Sequence, residues 1–274
     1  MLKDITLGQY FPGNSVAHKL DPRTKILLVT LYIIALFSAK GLVGYAVMIA
    51  TLAACVKVSH VGLKSLVRGL KPLVVIIVFT GVLNICFTPA ESYLFTWGII
   101  RVSVKGIQTA VFMVVRIMLL VMGTFLMTYT TSPIRLTDGL ESLLNPLKKI
   151  HVPVHELAMM MAIALRFIPT LIEETDKIIS AQKARGADFE SGSLFQKAKA
   201  LVPILVPLFI SAFRRADELA TAMECRCYHG GEGRTRMKQM KLHGRDLISG
   251  VATAAVFAGV ILLNKYVNLL PTIW

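Results

Sequence analysis

This sequence is poor in charged residues, which make up only 17% of its 274 positions, whereas 55% are hydrophobic. The resulting mean hydropathy of +0.65 excludes an ordinary soluble enzyme. Acidic residues are fewer than basic ones, with 16 Asp and Glu against 30 Lys and Arg, and the formal net charge is +14. In so apolar a chain, a basic excess is typical of loops held on the cytoplasmic side of a membrane.

Cysteines, a secretion signal and a nucleotide-binding loop are also scarce or absent. The four cysteines do not form the regular pattern of a disulfide framework. Residues 1–6 lack the basic and then apolar plan of a cleaved signal. No glycine-rich loop of the form G-x-x-x-x-G-K-[ST] occurs, so we do not expect the chain itself to hydrolyse ATP. We expect reduced thiols, no cofactor and a location in the plasma membrane.

Long apolar runs indicate membrane-spanning helices, because about 17 to 25 apolar residues cross a bilayer core about 30 Å thick. Five runs are predicted to span the membrane. The first two are separated only by Lys40 and Gly41, which predicts a tight transmembrane hairpin. The five runs are residues 25–39, 42–56, 72–87, 107–129 and 247–267.

Basic residues between these runs predict the orientation of the chain. Residues 1–25 contain four Lys and Arg residues, and the loop 57–71 contains four with no acidic residue. The positive-inside rule places both segments on the cytoplasmic side. Five spans then leave the N-terminus inside and Trp274 outside.

The segment 131–246 is predicted to be one long cytoplasmic insertion between the fourth and fifth spans. It carries 17 of the 30 basic residues and 13 of the 16 acidic residues. The sequence therefore predicts an all-α integral membrane protein with about five transmembrane helices. Its three regions are a membrane region 1–130 with four spans, a cytoplasmic domain 131–246 and a C-terminal span 247–274.

Within this insertion, apolar residues recur at the three-and-four spacing of amphipathic helices. A short helix opens at Ser132–Pro133 and ends before Lys148–Lys149. Two long helices of about 30 residues follow, each about 45 Å in length. Their apolar stripes must pack on each other, on the bilayer surface or on other subunits. The stripes include Leu157, Met161, Leu165, Ile168 and Ile179 in the first helix, and Leu201, Leu205, Leu208, Leu219 and Met223 in the second.

Each long helix ends in a short sequence that contains an arginine. Gly186 favours the left-handed conformation that stops a helix, which places Arg185 in the last turn. Arg226 occupies the equivalent place in the second helix. One such arginine is explained by the helix dipole, whereas two in the same insertion favour a docking function. The candidate docking residues are Ala184, Arg185 and Gly186 in the first sequence, and Glu224, Cys225, Arg226 and Cys227 in the second.

Two other clusters have simpler interpretations. Cys225, Cys227 and His229 contain thiol and imidazole groups that bind zinc, but their C-x-C-x-H spacing is loose, and we assign no metal. The basic tail 230–241 directly precedes a span, which favours a topogenic segment at the lipid headgroups. We therefore expect a lipid bilayer and no nucleic acid as its partner.

Arg116 is a charged residue within the fourth predicted span, where an unpaired charge costs about 3 kcal/mol. It is therefore expected to face protein. Two roles remain open for it: part of a translocation path, or an internal strut bonded to backbone carbonyls or to a polar neighbour such as Asn84.

Several short motifs between residues 20 and 230 together resemble the transmembrane (T) component of energy-coupling factor (ECF) transporters. The second arginine sequence differs from the usual Ala-Arg-Gly of the family in having cysteines on both sides of Arg226, and the arginine is retained. The motifs are Leu20–Lys25 (LDPRTK), Thr130–Pro133 (TTSP), Gly139–Glu141 (GLE), Leu144–Leu147 (LNPL), Ala184–Gly186 (ARG) and Ala222–Tyr228 (AMECRCY).

This resemblance implies a scaffold between two cytoplasmic ATP-binding-cassette (ABC) ATPases and a substrate-binding membrane subunit, the S component. It also implies that residues 131–246 form the coupling domain, and that Arg185 and Arg226 each insert into a groove of one ATPase. The transported vitamin or micronutrient is not encoded in this chain, because the S component supplies selectivity. Two alternatives remain at this point: the permease of an ordinary ABC importer, and a membrane enzyme that uses the Cys/His cluster.

Overall fold

The computed structural model describes residues 10–89, 95–97, 100–187, 189, 193–230 and 240–266. Most of the basic tail 230–241 therefore lies outside the described residues. The α-helices of the described part are α1 (Val16–Lys19), α2 (Pro22–Ser38), α3 (Gly41–Ser59), α4 (Leu63–Leu70), α5 (Val74–Phe87), α6 (Val104–Thr130), α7 (Pro133–Leu144), α8 (Val154–Ala184), α9 (Leu194–Glu224) and α10 (Gly244–Tyr266). Two 3₁₀ segments, Lys71–Leu73 and Asn145–Ile150, and the antiparallel strands β1 (Phe95–Trp97) and β2 (Ile100–Val102) complete them.

Contacts between residues divide the described chain into two units. The membrane unit comprises residues 10–140 and 240–266. The α8–α9 unit comprises residues 141–187, 189 and 193–230. The boundary falls within α7, whose last turn belongs to the α8–α9 unit.

Five helical segments among the described residues are long and apolar enough to cross a membrane, so the prediction of an all-α membrane protein with about five spans is confirmed. Four of these five segments correspond to predicted spans, and one does not. α2, the first predicted span, is not among these five; it has 17 residues, which is at the lower limit for crossing a bilayer core. α8 meets the length and composition instead, because the first half of its sequence is apolar. The five segments are Gly41–Ser59, Leu63–Phe87, Val104–Thr130, Val154–Ala184 and Gly244–Lys265.

The tight connection predicted between the first two spans is present, but α2 and α3 do not pack mainly on each other. α2 and α3 are joined by a two-residue link, but α10 and α6 each pack against both of them. The fully buried side chain of Val260 in α10 belongs to the same core as Leu36 and Met48. Asn264 of α10 also donates to the carbonyl of Ser38. A short link therefore fixes the proximity of two helix ends, while a helix far along the chain lies against both helices.

α6 is the longest helix of the membrane unit, and the segment α4–α5 packs along it in the opposite direction. Gly106 near the start of α6 lies against the carbonyls of Asn84 and Ile85 at the end of α5. At the other end, Gly69 of α4 lies against Phe125 and Tyr129. The absence of side chains at these two glycines lets the helices approach closely.

The predicted long amphipathic helices are confirmed in the α8–α9 unit, where α8 and α9 each have 31 residues. Ser193 opens α9 with a capping box, since its hydroxyl accepts from the amide of Gln196 and the Gln196 side chain accepts from the amide of Ser193. Most of the apolar side chains of α9 remain exposed, including Phe209 and Phe213. Such a surface is typical of a subunit that contacts partners or lipid.

Candidate docking site at the two helix ends

The ends of α8 and α9 share one hydrogen-bond pattern. At the end of α8, the amide of Gly186 donates to Lys183 O and the amide of Ala187 donates to Gln182 O, both at 3.0 Å. This pair of bonds is a Schellman motif, in which the last helical carbonyls are satisfied by a left-handed residue and its successor. Gly186 is that residue, with a φ of 86°. Arg185 is therefore the last residue before the chain turns away from the helix.

The end of α9 repeats this motif with a cysteine in place of the glycine. The amide of Cys227 donates to Glu224 O at 2.8 Å, and the amide of Tyr228 donates to Met223 O at 3.1 Å. Cys227 has a φ of 55°, in the left-handed region that costs a non-glycine residue about 1 kcal/mol or more. Arg226 therefore stands in the same position of its motif as Arg185. Cys227 thus adopts at the end of α9 the left-handed conformation that Gly186 adopts at the end of α8.

All seven predicted docking residues are exposed. The four last backbone carbonyls of a helix carry partial negative charge, so a guanidinium beside them has a favourable but weak interaction. Neither Arg185 nor Arg226 forms a salt bridge with another described residue. Both side chains are thus available for contact with another molecule.

The contact between α8 and α9 determines where these two ends lie within the unit. Gln182 Nε2 donates to Pro203 O at 3.4 Å near the end of α8. Eight residues earlier in α8, Glu174 accepts from Arg215 Nη2 at 2.9 Å and from the hydroxyl of Ser211. Positions earlier in α8 therefore contact positions later in α9. Because the two helices run in opposite directions through their contact, their C-terminal ends lie on opposite sides of it.

The cysteines near Arg226 are free thiols. Cys225 and Cys227 are both exposed, and so is His229. Within the described ranges, no group of three or more His, Cys, Asp or Glu side chains has the arrangement of a metal site.

Arg116 lies in the middle of α6 and is only 8% exposed. Its Nε donates to Tyr45 Oη at 2.8 Å, and its guanidinium lies 5.7 Å from the ring centres of Tyr45 and Phe37. Asn84, the neighbour suggested by the sequence, donates instead to Thr80 O in its own helix. A cavity of about 60 Å³ lies beside Arg116, between α3 and α6. These contacts describe an internal strut with aromatic partners.

A second group of buried charges, which the sequence pattern did not reveal, joins α2, α6 and α10. Lys25 Nζ donates to Thr130 O at 2.8 Å and to Thr131 Oγ1 at 2.9 Å. Lys25 is 6% exposed. It therefore holds the end of α6 against the first turn of α2.

Asp246 completes this group from the start of α10. Its Oδ1 accepts from the amide of Asp21, and its Oδ2 accepts from the amide of His243, both at 2.8 Å. Asp246 thus caps its own helix and binds the N-cap residue of α2 at the same time. The signals in the sequence were Asp21–Pro22 as a helix start and an acid in the third position of α10, but only the fold brings them together.

The sequence is similar to known proteins over nearly the whole chain. The family described as "CbiQ: Cobalt transport protein" matches residues 13–237. The chain is 56% identical over 266 residues to the "Energy-coupling factor transporter transmembrane protein EcfT" of Clostridium kluyveri, covering 97% of this chain and 98% of the relative. Proteins of the same name from Thermosediminibacter oceani and Bacillus subtilis are 54% and 46% identical, over 261 and 259 residues, covering 95% and 93% of this chain and 98% of each relative.

The chain belongs to the family of ECF transporter transmembrane proteins. The resemblance inferred from the short motifs is confirmed. Membership of this family does not favour the two alternatives, the permease of an ordinary ABC importer and a membrane enzyme. The matched region includes both arginine-ended helices and the residues of α2 and α6 that surround Lys25.

Proposed function

We propose that this ECF transporter membrane protein is the scaffold that links two ABC ATPases to a substrate-binding S component. The observation that carries this proposal is the repetition of one motif at the ends of α8 and α9. Each end presents an exposed arginine before a left-handed residue, and the two ends lie on opposite sides of the helix contact. Two equivalent sites on one chain suit two equivalent partners.

The chemistry of the arginines fits docking into a groove. A guanidinium is always charged and offers five N–H donors in a fixed plane, so it can bind a carboxylate or several carbonyls at once. The salt bridge between Glu174 and Arg215 joins the two helices inside the unit. Movement of an ATPase bound at one end would therefore be transmitted through this contact to the other helix.

The proposal assigns ATP hydrolysis to the partner subunits. Members of this family are transporter membrane proteins, and the present sequence contains no phosphate-binding loop. The chain would contribute binding surfaces and force transmission, and no catalytic residue. Its substrate would be a vitamin or micronutrient selected by the S component.

We also propose that residues 131–246 form a cytoplasmic coupling domain between membrane regions 1–130 and 247–274. In this topology the apolar half of α8 contacts partner subunits or the bilayer surface and does not cross the membrane. A crossing by α8 would move the end of α9 to the other side, so the two exposed cysteines there distinguish the topologies. With Cys55 and Cys86 replaced by Ser, we expect an impermeant thiol reagent to label Cys225 and Cys227 only after cells are permeabilised. Labelling in intact cells would contradict the cytoplasmic placement.

The docking proposal is tested by reversing the charge of both arginines. Arg185→Glu and Arg226→Glu should each weaken ATPase co-purification and substrate uptake, and the double variant should lose more than either single one. Replacement by Lys should have a smaller effect, because it keeps the charge and loses only the planar fork. The matched control is Lys177→Glu with Lys199→Glu, which changes the same charge at exposed positions within α8 and α9.

Two measurements are needed, co-purification of ATPases and uptake by cells with equal amounts of chain in the membrane. Loss in the arginine double variant with retention in the lysine control supports docking at the helix ends. Normal assembly and uptake in the arginine double variant would contradict docking and leave the two arginines with only a helix-dipole interaction.

A further inference from the structure

α4 carries a cluster of basic side chains that the proposed function does not use. Lys64 and Arg68 belong to α4, Lys57 lies near the end of α3, and Lys71 directly follows α4. All four are exposed. Within the described part of the chain, none of these four side chains forms a hydrogen bond or a salt bridge.

This cluster also has no acidic neighbour along the chain. No Asp or Glu occurs between Asp21 and Glu91, and α6, the helix on which α4 packs, contains none. The four positive charges are therefore not compensated by acidic residues in the helices around them. Their counterions must therefore come from outside α3, α4 and α6.

The faces of α4 differ in a regular order around the helix. One face is buried, with Leu66 at 0% and Leu70 at 7% exposure, and Gly69 of this face lies against Phe125. The adjacent face is apolar but exposed, with Leu63 at 65% and Val67 at 57%. At about 100° per residue, Lys64 and Arg68 follow on the next face. Around α4, the buried face is therefore followed by an exposed apolar face and then by a basic face.

The position of α4 places this pattern at one end of the bundle. α4 packs against the last two turns of α6, where Tyr129 Oη donates to Ser65 O at 3.4 Å. α3 also ends here, at Ser59, and α5 continues from α4 along α6 toward the opposite end. Because α3, α6 and the segment α4–α5 are all membrane-spanning candidates, their shared end lies at a bilayer surface.

We propose that this α4 patch, made of Lys57, Leu63, Lys64, Val67, Arg68 and Lys71, binds the headgroup of an anionic phospholipid. The basic side chains would bind the phosphate, and the adjacent Leu63 and Val67 would contact the acyl chains. Basic clusters beside a membrane-spanning helix attract anionic lipid in this way. An acidic protein partner would suit the charges but not the two exposed apolar residues on the neighbouring face. The proposal depends on the membrane spans and not on the docking of ATPases.

The test measures lipid selectivity of the full chain in phosphatidylcholine vesicles. Trace amounts of spin-labelled phosphatidylglycerol or spin-labelled phosphatidylcholine report the fraction of lipid immobilised at the protein surface. We expect the wild-type chain to prefer phosphatidylglycerol by about twofold or more, and high salt to reduce this preference. Lys64→Gln with Arg68→Gln should bring the preference close to one.

Two controls distinguish this site from general attraction to a basic protein. Lys40→Gln with Lys105→Gln removes two exposed charges from the opposite end of the bundle and should leave the preference unchanged. Lys64→Arg with Arg68→Lys keeps both charges, so it should keep the preference and show that the α4 patch tolerates substitution. Equal immobilisation of the two lipids by the wild-type chain would overturn the proposal. So would an equal loss in the Lys40/Lys105 control, or a preference that survives in the Lys64/Arg68 variant.

Discussion

The two units of this protein use charged residues in opposite ways. In the membrane unit, Lys25, Arg116 and Asp246 are all at most 8% exposed. Each forms a hydrogen bond with a residue of, or at the end of, another helix. In the α8–α9 unit, the two arginines that matter most for the proposed function are exposed at helix ends. The difference follows from the surroundings, because a charge buried in an apolar bundle is tolerated only with partners that replace water.

This difference separates structural charges from charges that can bind another molecule. Removal of a buried partner should destabilise the chain, whereas removal of an exposed helix-end arginine should affect assembly and leave stability nearly unchanged. The α4 patch is the exception in the membrane unit, since its charges are exposed and uncompensated. The following predictions test the contrast through the free energy of unfolding, measured on the chain in mild detergent.

The largest effect is expected for Asp246→Ala. This change removes the acceptor for the amides of Asp21 and His243. It leaves the buried amide of Asp21 without that acceptor and removes the bond that caps α10, at a total cost of about 3 kcal/mol. Asp217→Ala is the control, because Asp217 is an exposed acid of α9 and should cost less than about 0.5 kcal/mol. Equal destabilisation by the two changes would remove the distinction between buried and exposed charges.

A smaller loss is expected where helices of the membrane unit meet closely. A Cβ at position 123 would lie 2.5 Å from Cε1 of Tyr32, and Tyr32 is held by its hydroxyl bond to Leu119 O at 3.0 Å. Gly123→Ala should therefore cost about 2 kcal/mol through overpacking. Gly250→Ala in α10 meets no atom within 4 Å and should instead stabilise the helix by up to about 1 kcal/mol. Destabilisation by both changes would indicate that α10 is packed more tightly than described.

The hydrogen bond of Arg116 should have a measurable but moderate energy. Tyr45→Phe removes the hydroxyl that accepts from Arg116 Nε and should cost about 1.5 kcal/mol. Combined with Arg116→Met, its effect should be markedly less than additive, because the two residues are in contact. Tyr32→Phe combined with Arg116→Met supplies the comparison, and the two should add. Additivity in both pairs would argue against a bond between Tyr45 and Arg116.

The smallest effects concern the two helix ends, where one substitution should stabilise the chain and the other should destabilise it. Cys227→Gly relieves the left-handed strain of a non-glycine residue and should stabilise the chain by about 1 kcal/mol. Gly186→Ala introduces the same strain at the end of α8 and should destabilise it by a similar amount, about 1 kcal/mol. Similar shifts of the same sign would show that the two ends do not share one conformation.

Sequence periodicity predicted the individual helices well. The two amphipathic patterns in the insertion became α8 and α9, and the short helix opened by Ser132–Pro133 became α7. The arginine-containing ends were also found from sequence, although nothing in it required Cys227 to adopt the glycine-like conformation. Length and composition alone do not identify every span, since α2 has 17 residues and the apolar half of α8 resembles a span in composition.

The partners of the buried charges could not be predicted in the same way. Lys25 and Thr130 are 105 positions apart, and Asp21 and Asp246 are 225 apart. Asn84 was a reasonable candidate for Arg116 on polarity, but α3 supplied Tyr45 instead. Such pairs depend on which helix faces meet, and the near-uniform apolar sequences of the spans carry little information about that choice.

The sequence by itself determined that the chain is a helical membrane protein, that its charge is concentrated between residues 131 and 246, and that two arginines follow two long helices. These features are local, because hydrophobic period, proline, glycine and charge act within a few turns of the chain. Only the tertiary structure decided that α10 packs against both α2 and α3, that Asp246 binds the start of α2, and that α8 and α9 present their ends on opposite sides of one contact. Those features are non-local, since they arise when surfaces far apart in sequence bury apolar area together and must satisfy every polar group enclosed between them.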